Sequence, residues 1–433
     1  MSREKKIVWA VFIVATLLWA LDVAFRYNST AWTVWAWRRE AILLTGILAI
    51  IPMGVVMILS LRPRFLEPLF HGLDKMYYAH KWLGIFSIVF VALHYGVKLG
   101  KSLLTPFFPK EGSVAKNNFV PLDFLRGDAK TTGEVLFYAF VAMLVITLFK
   151  RIPYRTWKPI HRLISLMFIA SVFHTVVLMP ARYWVEPIGL VTLLLCAVGL
   201  YAAVIALTGN IGKNHQFRAR ITRLEFQQDV TLATCQIEGQ WHHRAGQYAF
   251  IRHQNTREAH PFTIASHDNG SHEVRFAIKA LGHYTRRIQS EWKVGDSVRI
   301  EGPYGQFFFD ETSLKKHIWI AGGVGITPFI AWLESLSERP VEQAITLYYC
   351  VNQANECLVP DYLKRLCDQH GVTFHMHCSS TDGYLKPNDL ALDADTAVFF
   401  CGPANFAAAI EQEIRQHGLS PSKHFHREFF DMR

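Results

Sequence analysis

Six stretches of mostly apolar residues, each close to the ~20 needed to cross a bilayer as a helix, occupy the first half of this 433-residue chain. They run over residues 7–25, 41–61, 77–99, 133–149, 159–179 and 187–207. Such segments have one workable conformation in lipid. Hydrocarbon offers no hydrogen bonds, so each backbone N–H and C=O must be paired inside the span, and a helical bundle follows. The first stretch is too long for a signal peptide and lacks a small-residue cleavage site, so it reads as a retained anchor.

Charge separates the two halves. Residues 1–208 hold 22 Lys and Arg against 10 Asp and Glu, whereas residues 209–433 hold 23 against 25. The basic excess therefore belongs to the apolar half. This disfavours a nucleic-acid partner, which would want a basic face on a soluble domain, and suggests loops held against anionic lipid. Arg3, Lys5, Lys6, Arg62, Arg64, Lys75, Lys150, Arg151, Arg155, Lys158, Lys213, Arg218 and Arg220 fall on one side if both termini are cytosolic. Arg26, Arg38, Arg39, Arg182 and the lysines of the 100–132 loop fall on the other, so the bias is moderate. A multi-pass protein of the inner (cytoplasmic) membrane is expected. At 18% charged and 51% apolar residues, the chain is neither disordered nor collagen-like, nor a small disulfide scaffold.

After Gly209 the pattern changes to short β-branched runs: 217–224, 230–237, 248–252, 274–278 and 297–301. They predict a small antiparallel barrel. From Lys316, strands at 317–321, 344–350, 372–378 and 397–401 alternate with helical stretches, the pattern of a doubly wound parallel sheet. The predicted fold is thus a multidomain membrane protein: a six-helix bundle over 1–208, an antiparallel β-barrel over 209–312 and an α/β doubly wound domain over 313–433. The cysteines, Cys196, Cys235, Cys350, Cys357, Cys367, Cys378 and Cys401, form no CxxC pair, and all but the first lie in the second half. That usage suits a reducing compartment and gives no zinc or iron–sulfur signature.

Ionisable residues within spans are costly and usually functional. Only the third and fifth stretches hold histidine: His80 and His94, then His161 and His174. At 1.5 Å and 100° per residue, the first pair lies about 21 Å apart, about 40° short of four full turns, so both rings share a face. The step from His161 to His174 leaves a larger angular mismatch, which a bend, a tightened turn or different ring rotamers must absorb. With the assigned orientation both helices run outward. His80 then matches His161 at the cytosolic level and His94 matches His174 at the outer level. Imidazole ligates haem iron, and bundles hold cofactors between facing helices. Two bis-histidine haems would make an electron path across the bilayer. A proton relay is the other use of such residues. Arg38 and Arg39 could meet haem propionates or lipid headgroups. Lys98 could meet an anionic acceptor or only a lipid headgroup, and Phe168, between the two levels, reads better as a core aromatic than as a filler of the gap between haems.

The histidine spacing resembles that of the ferric reductase and NADPH oxidase superfamily, whose six-helix domain holds two b-type haems. The second half resembles its ferredoxin-reductase-like dehydrogenase module, and the likeness runs from about Trp9 to Arg433. His260-Pro261-Phe262-Thr263 is similar to the family's HPFT box. The resemblance implies that Thr263 lies near the reactive nitrogen of the flavin and that Phe262 packs on it. Lys279-Ala280-Leu281-Gly282-His283-Tyr284-Thr285 resembles the segment whose Gly282 and Thr285 approach the flavin pyrophosphate. Gly permits close backbone approach there, and a following helix N-terminus favours anions. Gly246-Gln247-Tyr248 and Glu301-Gly302-Pro303-Tyr304-Gly305 match family turns, although ordinary turn chemistry is the better account of Glu301.

Ala321-Gly322-Gly323-Val324-Gly325-Ile326-Thr327-Pro328 follows a strand and precedes a helix. Its backbone N–H groups suit a pyrophosphate, and it lacks the GxGxxG spacing of the Rossmann fingerprint. It resembles the family's GGxGxTP turn, and Cys401-Gly402-Pro403 resembles its nicotinamide-side motif. The tail ends Glu428-Phe429-Phe430-Asp431-Met432-Arg433, and the resemblance implies that Phe430 covers the flavin until nicotinamide displaces it. After Tyr349-Cys350, where many relatives carry an arginine for a 2′-phosphate, the segment Val351-Asn352-Gln353-Ala354-Asn355-Glu356 has no Arg or Lys, so NADH stands beside NADPH. Together these features imply transfer of electrons from cytosolic NAD(P)H through FAD and two haems b. The acceptor lies on the outer side and is a ferric complex or dioxygen. Two bis-histidine haems, six-coordinate as the resemblance implies, would argue for outer-sphere transfer to it. Alternatives are a periplasmic redox protein or a quinone as acceptor, or a histidine-lined proton or ion conduit with a nucleotide-sensing domain.

Overall fold

The structure is a computed structural model that describes residues 3–26, 32–109, 122–149, 151–256, 258–338 and 341–428. Two compact units emerge: Met1–Leu66 with Lys75–Ile211, and Glu67–Asp74 with Gly212–Arg433.

The first unit is helical. Its elements are α1 (Arg3–Arg26), α2 (Val34–Ser60), α4 (Leu73–Leu104), α5 (Arg126–Leu148), α6 (Tyr154–Leu178) and α7 (Pro187–Thr208), while the short α3 (Glu67–Phe70) groups with the second unit. Six of these are long and apolar enough to span a membrane. The helices outrun the apolar windows because helical pairing continues into the polar ends. α4, at 32 residues, is about 48 Å long against a hydrocarbon core of about 30 Å. The loop read from sequence as residues 100–132 is correspondingly shorter: α4 continues to Leu104 and α5 begins at Arg126. Local signals set other ends. Thr33 caps α2 by accepting the Ala36 N–H at 3.1 Å. α7 starts on Pro187 and stops at Gly209, whose φ of +74° suits glycine.

Two of the arginines that weaken the charge bias, Arg26 and Arg182, are paired with neighbouring carboxylates. Arg26 bonds Asp22 at 2.8 Å and Glu40 at 2.9 Å. Arg182 lies 3.6 Å from both Asp22 and Glu186. Asp22 and Glu40 are buried, so these carboxylates stand where an isolated charge would be costly.

The second unit begins with an antiparallel sheet of β1 (Gln216–Gln227), β2 (Val230–Ile237), β3 (Tyr248–His253), β4 (His260–Thr263), β5 (Glu273–Lys279) and β6 (Ser297–Tyr304), in the order β4-β3-β6-β1-β2-β5. A bridge between Ile264 and Phe276 joins the two edges and closes the barrel. Its alternating inward residues, among them Ile221, Cys235, Ile251, Phe276 and Ile300, make the core. Helix α8 (His283–Glu291) follows β5.

A parallel sheet follows: β7 (Lys316–Gly322), β8 (Ala344–Val351), β9 (Thr373–Cys378), β10 (Thr396–Cys401) and β11 (Phe425–Arg427), in the order β11-β10-β7-β8-β9. Helices α9 (Thr327–Ser335), α10 (Pro360–Gln369), α11 (Ser379–Asp382) and α12 (Ala404–Gln416) connect the strands. The winding reverses between β7 and β10, so the carboxyl ends of those two strands form the crevice where such sheets bind ligands. β11 is not visible in the sequence pattern. It is three residues long and owes its conformation to parallel pairing with β10.

Candidate functional site

The four membrane histidines meet as two pairs. His80 and His161 have ring centres 6.3 Å apart with planes at 59°, and His94 and His174 are also 6.3 Å apart, at 83°. α6 carries both of its histidines on one continuous helix, Tyr154–Leu178, so the 13-residue step is met without a break. Among the described residues no group of three or more His, Cys, Asp or Glu is placed to hold a metal ion.

The outer edge of each ring is held. His80 Nδ1 lies 3.1 Å from the Val56 carbonyl, His94 Nδ1 3.0 Å from that of Ile42, and His174 Nδ1 2.7 Å from that of Ala129. A carbonyl only accepts, so Nδ1 carries the proton in these three and Nε2 keeps its lone pair. His161 Nδ1 lies 3.5 Å from the Thr147 hydroxyl, and Trp157 stacks on the ring at 4.5 Å. Two imidazoles on opposite sides of one metal, at about 2.0–2.1 Å each and with ring centres about 1.1 Å behind the nitrogen, would have centres about 6.3 Å apart. Both pairs fit that figure. Fixing the outer nitrogen is also how proteins orient metal-bound histidine.

Small residues give the rings room. A Cβ on Gly133 would stand 2.3 Å from His174 Cε1, and one on Gly46 3.4 Å from the His94 ring. Phe168 is fully buried on α6 between the two histidines, and a Cβ on Gly199 would lie 2.6 Å from its ring. Arg38 donates to the carbonyls of Val97 and Lys98, at 3.2 and 2.7 Å. Lys98 pairs with Glu134.

In the barrel, β4 carries His260–Thr263 and pairs with β3 so that Thr263 faces Tyr248 across the ladder. Thr263 is buried, and His260 stacks on Tyr284 at 3.8 Å. Gly246 has φ +95°, and a Cβ there would strike the Phe307 carbonyl at 2.0 Å, so this turn requires glycine. Gln247 crosses to the Gly305 carbonyl at 3.3 Å. Glu301 accepts from the Tyr304 hydroxyl at 2.9 Å, a contact within its own strand end. Glu428 reaches the same turn: its Oε1 would lie 3.2 Å from a Cβ on Gly305. Phe429 and Phe430 lie outside the described residues.

Before α8, the Thr285 hydroxyl accepts from the Leu281 and Gly282 N–H groups at 2.9 Å each. Space around Gly282 is open, with nothing within 4 Å of a Cβ. Lys279 lies 3.6 Å from Asp229.

In the parallel sheet the two glycine motifs are pressed together. A Cβ on Gly325 would meet the Cys401 carbonyl at 2.1 Å, and one on Gly322 would meet Pro403 Cδ at 2.7 Å. Gly402 approaches the Gly322 Cα at 3.1 Å by the same measure. Gly323 has φ +57° and faces open space. Thr327 and Pro328 open α9, with Pro in the first turn, where its missing N–H is not needed. Cys401 is buried, and burial pushes its thiol well above its ordinary range. Asn352, just past β8, accepts from the Ser379 hydroxyl at 3.0 Å.

Family models match three consecutive parts of the chain. A ferric reductase-like transmembrane component matches residues 45–172, an FAD-binding domain residues 218–307, and an oxidoreductase NAD-binding domain residues 319–412. The chain has the architecture of the ferric reductase and NADPH oxidase superfamily. It is a multi-pass membrane protein with an FAD- and NAD-binding reductase module.

This ferric reductase-like chain is 27% identical over 197 residues to the toluate 1,2-dioxygenase electron transfer component of Pseudomonas putida, covering 42% of this chain and 58% of that one. It is 30% identical over 158 residues to the carnitine monooxygenase reductase subunit of Escherichia coli, covering 36% and 48%. The chain spans about half the length of the curated relatives it matches. A flavohemoglobin structure from Malassezia yamatoensis aligns at 16% identity and TM-score 0.48, over 89% of this chain and 98% of that one.

Several contributors were not legible beforehand. The Val56, Ile42 and Ala129 carbonyls carry no side-chain signal. Gly133 and Gly46 could have been suspected as glycines in otherwise bulky spans. Glu67 is buried in the second unit, where it accepts the Gly305 N–H at 2.6 Å. Its only sequence sign is an acid among basic residues.

Proposed function

We propose that the ferric reductase-like chain carries electrons from NAD(P)H on the cytosolic side of the inner membrane to an acceptor on the outer side. In this reading both termini are cytosolic. His80 with His161, and His94 with His174, hold two haems b. The observation that supports this best is the shared 6.3 Å separation of both pairs, with Nδ1 held in three rings by a backbone carbonyl. When bound, FAD accepts a hydride and releases single electrons, which the haems can carry.

The chain's own residues bind and orient. The N–H groups of the Gly322–Thr327 turn and the α9 N-terminus suit the nicotinamide dinucleotide's pyrophosphate. Gly322, Gly325 and Gly402 keep that turn against Cys401–Pro403. Gly246–Tyr248 and His260–Thr263 form the flavin side, and α8 with Gly282 suits the flavin pyrophosphate. Phe430, three residues from the chain end, is the proposed flavin cover. Residues 1–208, 209–312 and 313–433 are the proposed haem, FAD and NAD(P) domains. The acceptor is a ferric complex or dioxygen.

The test is a reduced-minus-oxidised spectrum of purified protein, followed by turnover with NADH and NADPH against ferric chelate and dioxygen in parallel. A bis-histidine b-type signature with two haems per chain and nucleotide-driven reduction is expected. A folded, FAD-containing protein made with ample porphyrin that shows no Soret band would refute it.

A further inference from the structure

Helix α9 leaves the glycine turn at Thr327 and touches the barrel twice within two turns. The Trp332 indole N–H donates to the Ala245 carbonyl at 3.2 Å, directly before the Gly246–Tyr248 turn. Two residues on, the Glu334 carboxylate gathers three donors from three places. These are the His267 backbone N–H at 3.0 Å, the Tyr362 hydroxyl of α10 at 2.6 Å and the Arg275 guanidinium of β5.

Those partners lead back to the flavin side. His267 is four residues beyond Thr263, and between them the Ala265 N–H donates to the Arg275 carbonyl at 2.7 Å. Arg275 is thus bonded through its backbone to the segment that continues the His260–Thr263 strand and through its side chain to α9. The Glu334 side chain is only 13% exposed. An exposed ion pair contributes little. A largely buried carboxylate with one charged and two further donors is a stiff joint.

We propose that Glu334 is a positioning residue: through Arg275 and His267 it sets the glycine turn that opens α9 against the strand carrying Thr263, and so sets the geometry of hydride transfer. This rests on the reading that the unit passes hydride from nicotinamide to flavin. NAD(P)H gives up two electrons and one proton as hydride, and the flavin takes them. Glu334 touches neither reactant. A displacement of about 1 Å in such a reaction can cost about 100-fold in rate, and a partial shift correspondingly less.

The experiment uses the full-length protein in detergent, with flavin bleaching followed by stopped flow under NADH and under NADH deuterated at the transferred position. Glu334→Gln is expected to keep its FAD and its KM for NADH within about twofold, to reduce flavin about tenfold more slowly, and to show a larger deuterium isotope effect. Arg275→Met, made in case Glu334→Gln fails to fold, is expected to match it. Arg275→Lys keeps the charge and should lose less than about threefold, and the Arg275→Met/Glu334→Gln double variant should be no slower than either single.

An unchanged bleaching rate and isotope effect in folded, FAD-replete Glu334→Gln or Arg275→Met would overturn the proposal. So would loss of FAD with a normal rate per bound flavin, which is what a purely structural role gives. If NADH failed to bleach the flavin of the unaltered protein, the hydride-transfer reading would fall first and this proposal with it.

Discussion

Replacing Gly133 by alanine tests the His94–His174 pair without altering a histidine. A Cβ at residue 133 would lie 2.3 Å from Cε1 and 2.5 Å from Nδ1 of His174. Carbon contacts are comfortable at about 3.5–4.0 Å, so the ring would have to retreat by more than about 1 Å. That retreat breaks the 2.7 Å bond to the Ala129 carbonyl and the 6.3 Å register with His94. The lost bond and the overpacking each cost about 1–3 kcal/mol. Alanine's better helix propensity returns only about 1 kcal/mol.

The other pair, His80 and His161, is untouched by this change. The expected result is one haem per chain instead of two, with flavin reduction by NADH preserved, measured by pyridine haemochrome assay against FAD content. Gly46→Ala places a Cβ 3.4 Å from the His94 ring, at the edge of ordinary contact, and Gly96→Ala meets nothing within 4 Å. Haem loss should therefore be largest at 133, small at 46 and absent at 96. A Gly133→Ala protein with two haems and unshifted midpoint potentials would refute the reasoning.

Three further outcomes follow from the same structure. His94→Ala should abolish reduction of an outer-side acceptor while sparing NADH-to-flavin transfer; stopped-flow loss of both would contradict the split. With a neutral Asn352 and Ser379 past β8 and β9, NADH should outperform NADPH in kcat/KM, and Asn352→Arg should raise the NADPH value about tenfold, since a charged hydrogen bond contributes about 1.5–3 kcal/mol. His317 in β7 is 1% exposed, and burial, joined by the nearby His426, holds its imidazole at about 4 against an ordinary 6.5. Below pH 6.5 the unfolded chain takes up a proton that the folded one refuses. Stability should fall as pH drops from 6.5 to about 4, by up to about 1.4 kcal/mol per pH unit. Thermal melts of His317→Leu should lack that slope.

Much of the fold was legible because its signals are local. Apolar runs of membrane length have few alternatives in lipid, and the β2 and β8 runs alternate or continue as strands must. The histidine positions were legible for the same reason: a titratable residue in a span stands out against its neighbours. What failed to show were features made by distant partners. The β11 strand depends on its parallel pairing with β10. The Arg26–Glu40 and Arg182–Asp22 pairs depend on carboxylates brought from other helices, whereas Arg26–Asp22 and Arg182–Glu186 are local four-residue pairs. Phe430, named from the resemblance alone, lies outside the described residues.

By itself the amino-acid order determined a six-helix bundle followed by a barrel and a parallel sheet, and it placed two histidines on each of two helices. Helical rise and strand alternation act over a few residues, so they can be read directly. Only the tertiary structure decided that both histidine pairs close to the same separation, which backbone carbonyls hold their outer nitrogens, and that Glu334 joins α9 to β5. Those facts depend on surfaces brought together from far apart in the chain, where steric fit and desolvation, not local periodicity, select the partner.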